Sequence, residues 1–215
     1  MERDDGGGEQ PGRKPWRSAG PDGLGGRLLV ASPRLSDPNF DRTVVLVIDH
    51  GEDGALGVVL NQPAAAGVDE ILGDWAEQAA LLPPAVVFSG GPVTPEAVIG
   101  LALVVPGTGP GAADEADGGP ARPRTILGSV APVDLAVPPE RQPLLLAGVR
   151  LFAGYAGWSR GQLEEELAEE AWFVLEAFPA DVFASDPGRL WRDVLRRQGG
   201  SLSLLAGFPP DPSVN

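Results

Sequence analysis

The run Thr43-Val44-Val45-Leu46-Val47-Ile48 is the strongest constraint on how this chain can fold. It is too short for a buried helix and too rich in β-branched residues for a loop, so it reads as a strand. A strand covered on one face only would alternate apolar with polar residues. Because this one does not alternate, both of its faces are expected to be buried in a covered sheet. Asp37-Pro38 opens the turn that feeds it, since proline fixes its own φ and pushes the preceding residue out of the helical region. Asp49 to Gly54 carries the Asp, His and Asp-Gly chemistry of a hairpin turn, and Leu56 to Leu60 returns as a second strand. Gly57, inside that return strand, marks a bulge or a close backbone approach.

Further short apolar segments follow the same logic. Arg27 to Ala31, Ala85 to Phe88, Val98 to Val105, Val149 to Ala153 and Ala171 to Leu175 read as strands. Asp69 to Ala80 reads as a helix with Ile71, Leu72, Trp75 and Ala79 on one face, despite Gly73. Ser159 and Gln162 have the spacing of a capping box, with Ser159 as N-cap ahead of Leu163 and Leu167. Glu165, Glu166, Glu169 and Glu170 then form the outer face of that helix. Asp186-Pro187 opens a last helix with Leu190, Trp191, Val194 and Leu195 inward and Gly199-Gly200 as its stop.

Composition bounds the rest. The chain has 215 residues and 43% hydrophobic content, enough for one substantial core. Residues 1–25 are Gly, Pro and charge and are expected to stay disordered, leaving a single domain over 26–215 with a flexible loop at 106–124. The tail holds one small basic spot, Arg13 to Arg17. No apolar h-region marks a secretory signal and no apolar run is long enough to span a bilayer, so the expectation is a cytoplasmic protein without membrane contact.

A formal charge of -14 repels phosphates, and there is no helix-turn-helix or zinc pattern, so direct nucleic acid binding is not expected. Arg189, Arg192, Arg196 and Arg197 are the one basic cluster near a helix, and they read as complements to its dipole. The chain has no cysteine, which removes disulfides, thiol nucleophiles and thiolate metal sites. No metal or cofactor is expected.

His50 is the single histidine. It reads either as a turn residue of the hairpin or as a general base near Ser89 or Asp49. Ser89-Gly90-Gly91 follows a strand, where backbone N–H groups can form an anion nest, although the alternative is a sharp turn or a close backbone approach. The G-x-S-x-G nucleophile elbow is absent.

The hairpin of Pro33 to Pro63, Phe88-Ser89-Gly90-Gly91-Pro92-Val93, the run Gly154 to Glu164, and Leu190-Trp191 occur in the order and spacing of one family. From about Gly26 to the C-terminus the chain resembles the AlgH/YqgE-like bacterial proteins, a family defined by sequence and without an established biochemical activity. The resemblance implies an α+β fold, a single domain whose strongly bent, partly barrel-like mixed or antiparallel sheet is flanked by helices. One family member has been proposed to regulate transcription.

The polar and aromatic residues matching the family motifs are Asp37, Arg42, Asn61, Tyr155, Trp158, Gln162 and Glu164. They either converge at a mouth of the sheet and hold a small polar ligand, or serve local structure. On the structural reading Asp37 pairs with Arg42, Asn61 bonds its own backbone and Gln162 completes a capping box. Gly154 and Gly157 are expected to give a sharp exit from a strand, with Trp158 packed on the hairpin. Three functional classes follow: a non-enzymatic regulatory or adaptor protein that binds a protein partner, a sensor of a small molecule or anion, and a hydrolase using Ser89 and His50.

Overall fold

Among the described residues nine strands form one mixed sheet, and the length of the eighth decides its shape. The computed structural model describes residues 23–35, 37–108 and 124–207. The strands are β1 (Arg27–Ala31), β2 (Val44–Gly51), β3 (Gly54–Val59), β4 (Pro63–Gly67), β5 (Val86–Ser89), β6 (Val93–Val104), β7 (Val130–Val133), β8 (Leu146–Ser159) and β9 (Trp172–Glu176). The first half of β8 lies between β6, antiparallel, and β5, parallel. Its second half pairs antiparallel with β3, and the order continues through β2 and β1 to β9. Gly154 makes this transfer possible. Its φ is +69, and there the β6 partner jumps from Val98, opposite Ala153, to Val93, opposite Tyr155. A Cβ at Gly154 would meet the Gly91 carbonyl oxygen at 2.5 Å, so glycine alone fits. The expected exit from the strand after Gly154 is thus a kink inside a strand that runs on to Ser159.

Both faces of β2 are covered, as its composition demands. Val44, Leu46 and Ile48 join Leu28, Val58, Phe88, Leu101 and Phe152 in a core shared by the two halves of the sheet, closed by Leu190, Trp191, Val194 and Leu195. Val45 and Val47 face the other way, into a second cluster with Trp158, Leu163 and Trp172. A third cluster, around Trp75, Val87 and Leu151, covers the outer face of the β5–β8–β6 half. The result is the expected single α+β domain. The sheet is not closed into a barrel: β4, β7 and β9 are three edges.

The helices are α1 (Val68–Ile71), α2 (Ala76–Ala80), α3 (Gln162–Ala168), α4 (Pro179–Val182), α5 (Leu190–Gln198) and α6 (Gly200–Leu205). The predicted helix over 69–80 is broken at Leu72 and Gly73 into α1, a 3-10 turn and α2, which turns Ile71 out to solvent. Sequence reading missed β4 and β7, whose Ala-rich and Pro-interrupted segments carry little strand signal.

The hairpin turn is tighter than predicted, because β2 runs through His50 to Gly51 and leaves only Glu52-Asp53 as the loop. The bulge sits on β2 between Val47 and Asp49. Gly57 supplies the close approach, since a Cβ there would meet the Leu46 carbonyl oxygen at 2.6 Å.

Residues 1–22 of the predicted tail and 109–123 of the predicted loop lie outside the described residues. Gly23 to Gly25, placed in the tail by sequence, belong to the domain: Leu24 packs on the second cluster and donates its N–H to His50.

Candidate functional site

The sequence-predicted residues do not converge; the fold distributes them over three places. Tyr155 and Trp158 are the clearest case, because Tyr155 packs on the shared core whereas Trp158 lies in the second cluster, on the other face of β8.

The first place is the corner where β8 meets α3. His50 Nδ1 accepts the Leu24 N–H at 3.1 Å, which puts the ring proton of the neutral imidazole on Nε2, 2.8 Å from Glu164 Oε1. Glu164 sits in the first turn of α3, and its carboxyl is held below the usual range by a backbone N–H, with His50 adding to the effect against some burial. Gln162 Oε1 accepts from both the backbone N–H and the hydroxyl of Ser159, at 3.1 Å each. Only half of the capping box therefore forms. Gln162 reaches back as predicted, but the N-cap is Gly161 at φ +79, and Ser159 is the last residue of β8.

Glu166, expected on the outer face, is the centre of this corner. Its Oε2 accepts the indole N–H groups of Trp158 at 2.9 Å and Trp172 at 2.7 Å, and its Oε1 accepts from Gln162 at 3.0 Å. The two indoles meet edge to face and Phe40 packs on both. A signal for this existed in the sequence: two tryptophans whose N–H groups need partners once buried, near an acidic helix.

The second place is the start of β2. Asn61 Oδ1 accepts the Val44 N–H at 2.8 Å and its Nδ2 donates to the Arg42 carbonyl at 2.9 Å, so the side chain adds a rung to the β2–β3 ladder instead of bonding its own backbone. Asp37 Oδ1 caps a 3-10 turn by accepting from the backbone and side chain of Asn39 at 2.9 and 3.0 Å. Arg42, at φ +50, places its guanidinium 5.0 Å from the centre of the Trp191 ring.

The third place is a cleft of about 440 Å³ at the end of β5, lined by Asn39, Gln62, Ser89, Gly91, Pro92 and Pro95 among others. Its lining carries no charged side chain. Ser89 is exposed, and no described residue bonds its hydroxyl; Gln62 Nε2 is drawn to the Asn39 carbonyl at 3.2 Å. The glycines do not form an anion nest. The Gly90 N–H donates to the Ala153 carbonyl at 2.7 Å, and a Cβ at Gly90 or Gly91 would overlap the backbone of β8. Asn39 and Gln62 lie inside the Pro33 to Pro63 stretch but were not singled out as site residues, because nothing in their spacing points to a shared cleft.

Ser89 and His50 do not form a nucleophile and base, since both imidazole nitrogens are taken, by Leu24 and Glu164. Among the described residues no group of three or more His, Asp or Glu side chains is placed to hold a metal ion, and no helix is long and apolar enough to cross a membrane. Of the predicted basic cluster, Arg189, just before α5, and Arg196 flank Asp193, and Arg197 binds Asp181.

Arg150 is a buried charge that sequence reasoning passed over. It is 2% exposed, donates to the carbonyls of Val182, Ala184, Leu82 and Pro83, and lies over the Phe88 ring. Burial pushes it down to about 10, so it remains a cation at neutral pH, solvated by peptide dipoles. It ties the loop after α2 to the C-terminal end of α4 and the residues that follow it.

The 89–91 and 154–157 segments, which carry the resemblance, meet through their glycines where β8 kinks in this single α+β domain. The AlgH-like family profile matches residues 28–203, and the chain belongs to that family. It is 52% identical over 192 residues to a UPF0301 protein of Streptomyces avermitilis and 53% identical over 192 residues to one of Streptomyces coelicolor, each match covering 89% of this chain and 95% of the relative. A crystal structure of a Corynebacterium diphtheriae protein superposes with a TM-score of 0.74 at 32% identity, over 90% of this chain and 95% of that one. The solution structure of AlgH from Pseudomonas aeruginosa gives 0.58 at 28% identity, over 90% and 98%.

Proposed function

We propose that this chain is a cytosolic, non-enzymatic regulatory or adaptor protein that acts by binding another protein and does not itself read DNA sequence. One observation carries this reading: the side chains best suited to chemistry are committed to internal hydrogen bonds. His50, Glu164, Glu166, Asn61 and Arg150 each hold a strand, a helix or a loop in place. The chain as a whole carries a net charge of -14, which repels nucleic acid and favours basic protein surfaces.

The test is reconstitution from two purified proteins. Material retained by the immobilised full chain from native lysate is identified, purified separately and mixed with it, and the complex is weighed by native mass spectrometry. A stoichiometric protein complex that weakens as salt rises supports the reading. If the chain instead carries a stoichiometric small molecule and binds no protein, the reading is wrong. Tight, salt-sensitive binding to one promoter duplex but not to its scrambled version would overturn the claim about DNA.

A second reading, a sensor of a small polar ligand, is favoured by the cleft at Ser89. About 440 Å³ lies in the range that holds a small molecule, and a hydroxyl with two amides offers neutral donors and acceptors. Displacement of a co-purified ligand by Ser89→Trp would establish it.

A further inference from the structure

The three sheet edges are not equally protected. β7 carries Pro132 in its middle, which removes a ladder donor, and β4 begins with Pro63 and is bulged between its only two partner positions, Pro63 and Gly67. Proline and bulges are the usual devices that keep an edge from recruiting another strand. β9 has neither. Trp172-Phe173-Val174-Leu175-Glu176 pairs with β1 without a register shift, contains no proline or lysine, and leaves Val174 39% exposed.

The register shows which backbone groups are free. Ser32 donates its N–H to the Ala171 carbonyl, its direct partner, so Ala171, Phe173 and Leu175 bond toward β1. The N–H and C=O groups of Trp172, Val174 and Glu176 then point away from the sheet. Among the described residues only the Glu176 carbonyl has a partner there, the Arg197 guanidinium. Among the described residues nothing pairs with the outward N–H and C=O of Val174, 39% exposed, or with those of Trp172, whose residue is 4% exposed and leaves little more than its strand edge open. The one charged side chain of the strand, Glu176, is exposed.

We infer that the outer edge of β9 is a docking strand, which takes up an extended segment of a partner protein that carries basic residues and adds to the sheet as its tenth strand. This rests on the protein-binding reading above and names its surface. Main-chain bonds to Trp172 and Val174 supply affinity, and an apolar residue over Val174 beside a cation at Glu176 supplies selectivity. Charge selects the occupant. A second copy would bring two chains of -14 together, whereas a basic segment is attracted.

The test uses the full chain and a synthetic probe, a fluorescent peptide alternating Val or Thr with Arg or Lys, with a Glu-for-Arg analogue as control. Val174→Pro removes the outward N–H without touching the ladder to β1, and Val174→Lys is a second variant should proline unfold the strand. The wild-type chain should bind the basic peptide, and the amide protons of Trp172 and Val174 should gain protection from exchange. Val174→Pro and Val174→Lys should each weaken binding by about tenfold or more, while Val174→Thr stays within about twofold. Unchanged affinity in both disruptive variants, no binding by wild type, or equal binding of the acidic analogue overturns the inference. So does concentration-dependent self-association abolished by Val174→Pro, or binding that appears only after residues 1–22 are deleted, because a second copy or the chain's own tail would then be the occupant. If the complex reconstituted above survives Val174→Pro unchanged, the adaptor reading stands and this surface is wrong.

Discussion

At the α3 end of β8 a carboxylate, two indoles, an amide and an imidazole are all bonded to one another or to the backbone. Across the kink at Gly154, in the cleft beside β5, a hydroxyl and two amides lie at the surface with spare bonding capacity. Burial makes the difference. Trp158 and Trp172 lose water on both sides of their rings, so each N–H needs an internal acceptor, and Glu166 serves both. Ser89 and Asn39 are exposed and Gln62 half-buried, so their polar groups are open to solvent and do not depend on a buried acceptor. Polar residues in a family motif can therefore mark either kind of place, and only packing tells them apart.

The largest effect is expected at the indole. Trp158→Ala should cost about 3–5 kcal/mol, read as a fall in the urea midpoint at constant m, because a buried ring is replaced by a cavity and Glu166 loses a donor. A melting temperature that does not move would show that the corner is open like the cleft and erase the contrast.

Glu166→Ala comes next, at roughly 2–4 kcal/mol, since two buried N–H groups are orphaned together. Glu166→Gln retains an acceptor oxygen and should recover a substantial part of that loss. If the alanine variant is no worse than a surface glutamate change such as Glu165→Ala, the carboxylate is not the hub described here.

Acid should expose a smaller contribution from Glu164. Its folded carboxyl is depressed, so its stabilisation is complete above the unfolded value of about 4.3 and is lost as pH falls through the folded value. Wild type and Glu164→Gln should differ in urea midpoint at pH 6 and converge in strong acid. A gap that widens on acidification would mean that the sign is wrong. The side chain is 55% exposed, so solvent screens the effect and keeps it modest.

Much of the fold was legible because it follows from local chemistry. The two-faced burial of β2 follows from its unbroken apolar run, and the inward face of α5 from its spacing. The break of 69–80 at Gly73, the kink at Gly154 and the fate of Glu166 depend on contacts with segments far away in the chain, which periodicity does not encode. The candidate site was legible only as a set of residues. Asn61 looked like a strand terminator because its partners, Val44 and Arg42, are brought to it by the hairpin register. Ser159 looked like an N-cap because Gln162 does reach back, while β8 runs on to Ser159, six residues past the predicted end at Ala153.

Ser159→Ala sharpens that last point. As a true N-cap the hydroxyl would be worth about 1 kcal/mol, but here it donates to Gln162 at the exposed end of a strand, and the expected loss is about 0.5 kcal/mol or less. A full kilocalorie in the urea midpoint would restore the capping reading.

The smallest stability effect is expected in the cleft. Ser89 is exposed and its hydroxyl meets no described residue, so Ser89→Ala should leave the melting curve within about 0.5 kcal/mol of wild type. Ser89→Trp should also fold, because the added ring projects into about 440 Å³ of open space rather than into the core. The pair separates scaffold from surface. If the cleft recognises a ligand or partner, the tryptophan abolishes that binding at unchanged stability while the alanine weakens it modestly. If both variants bind as wild type does, the cleft is a by-product of the glycine contacts with β8. If either one unfolds the chain, the hydroxyl has a structural partner, and the contrast between the closed corner and the open cleft fails on its open side.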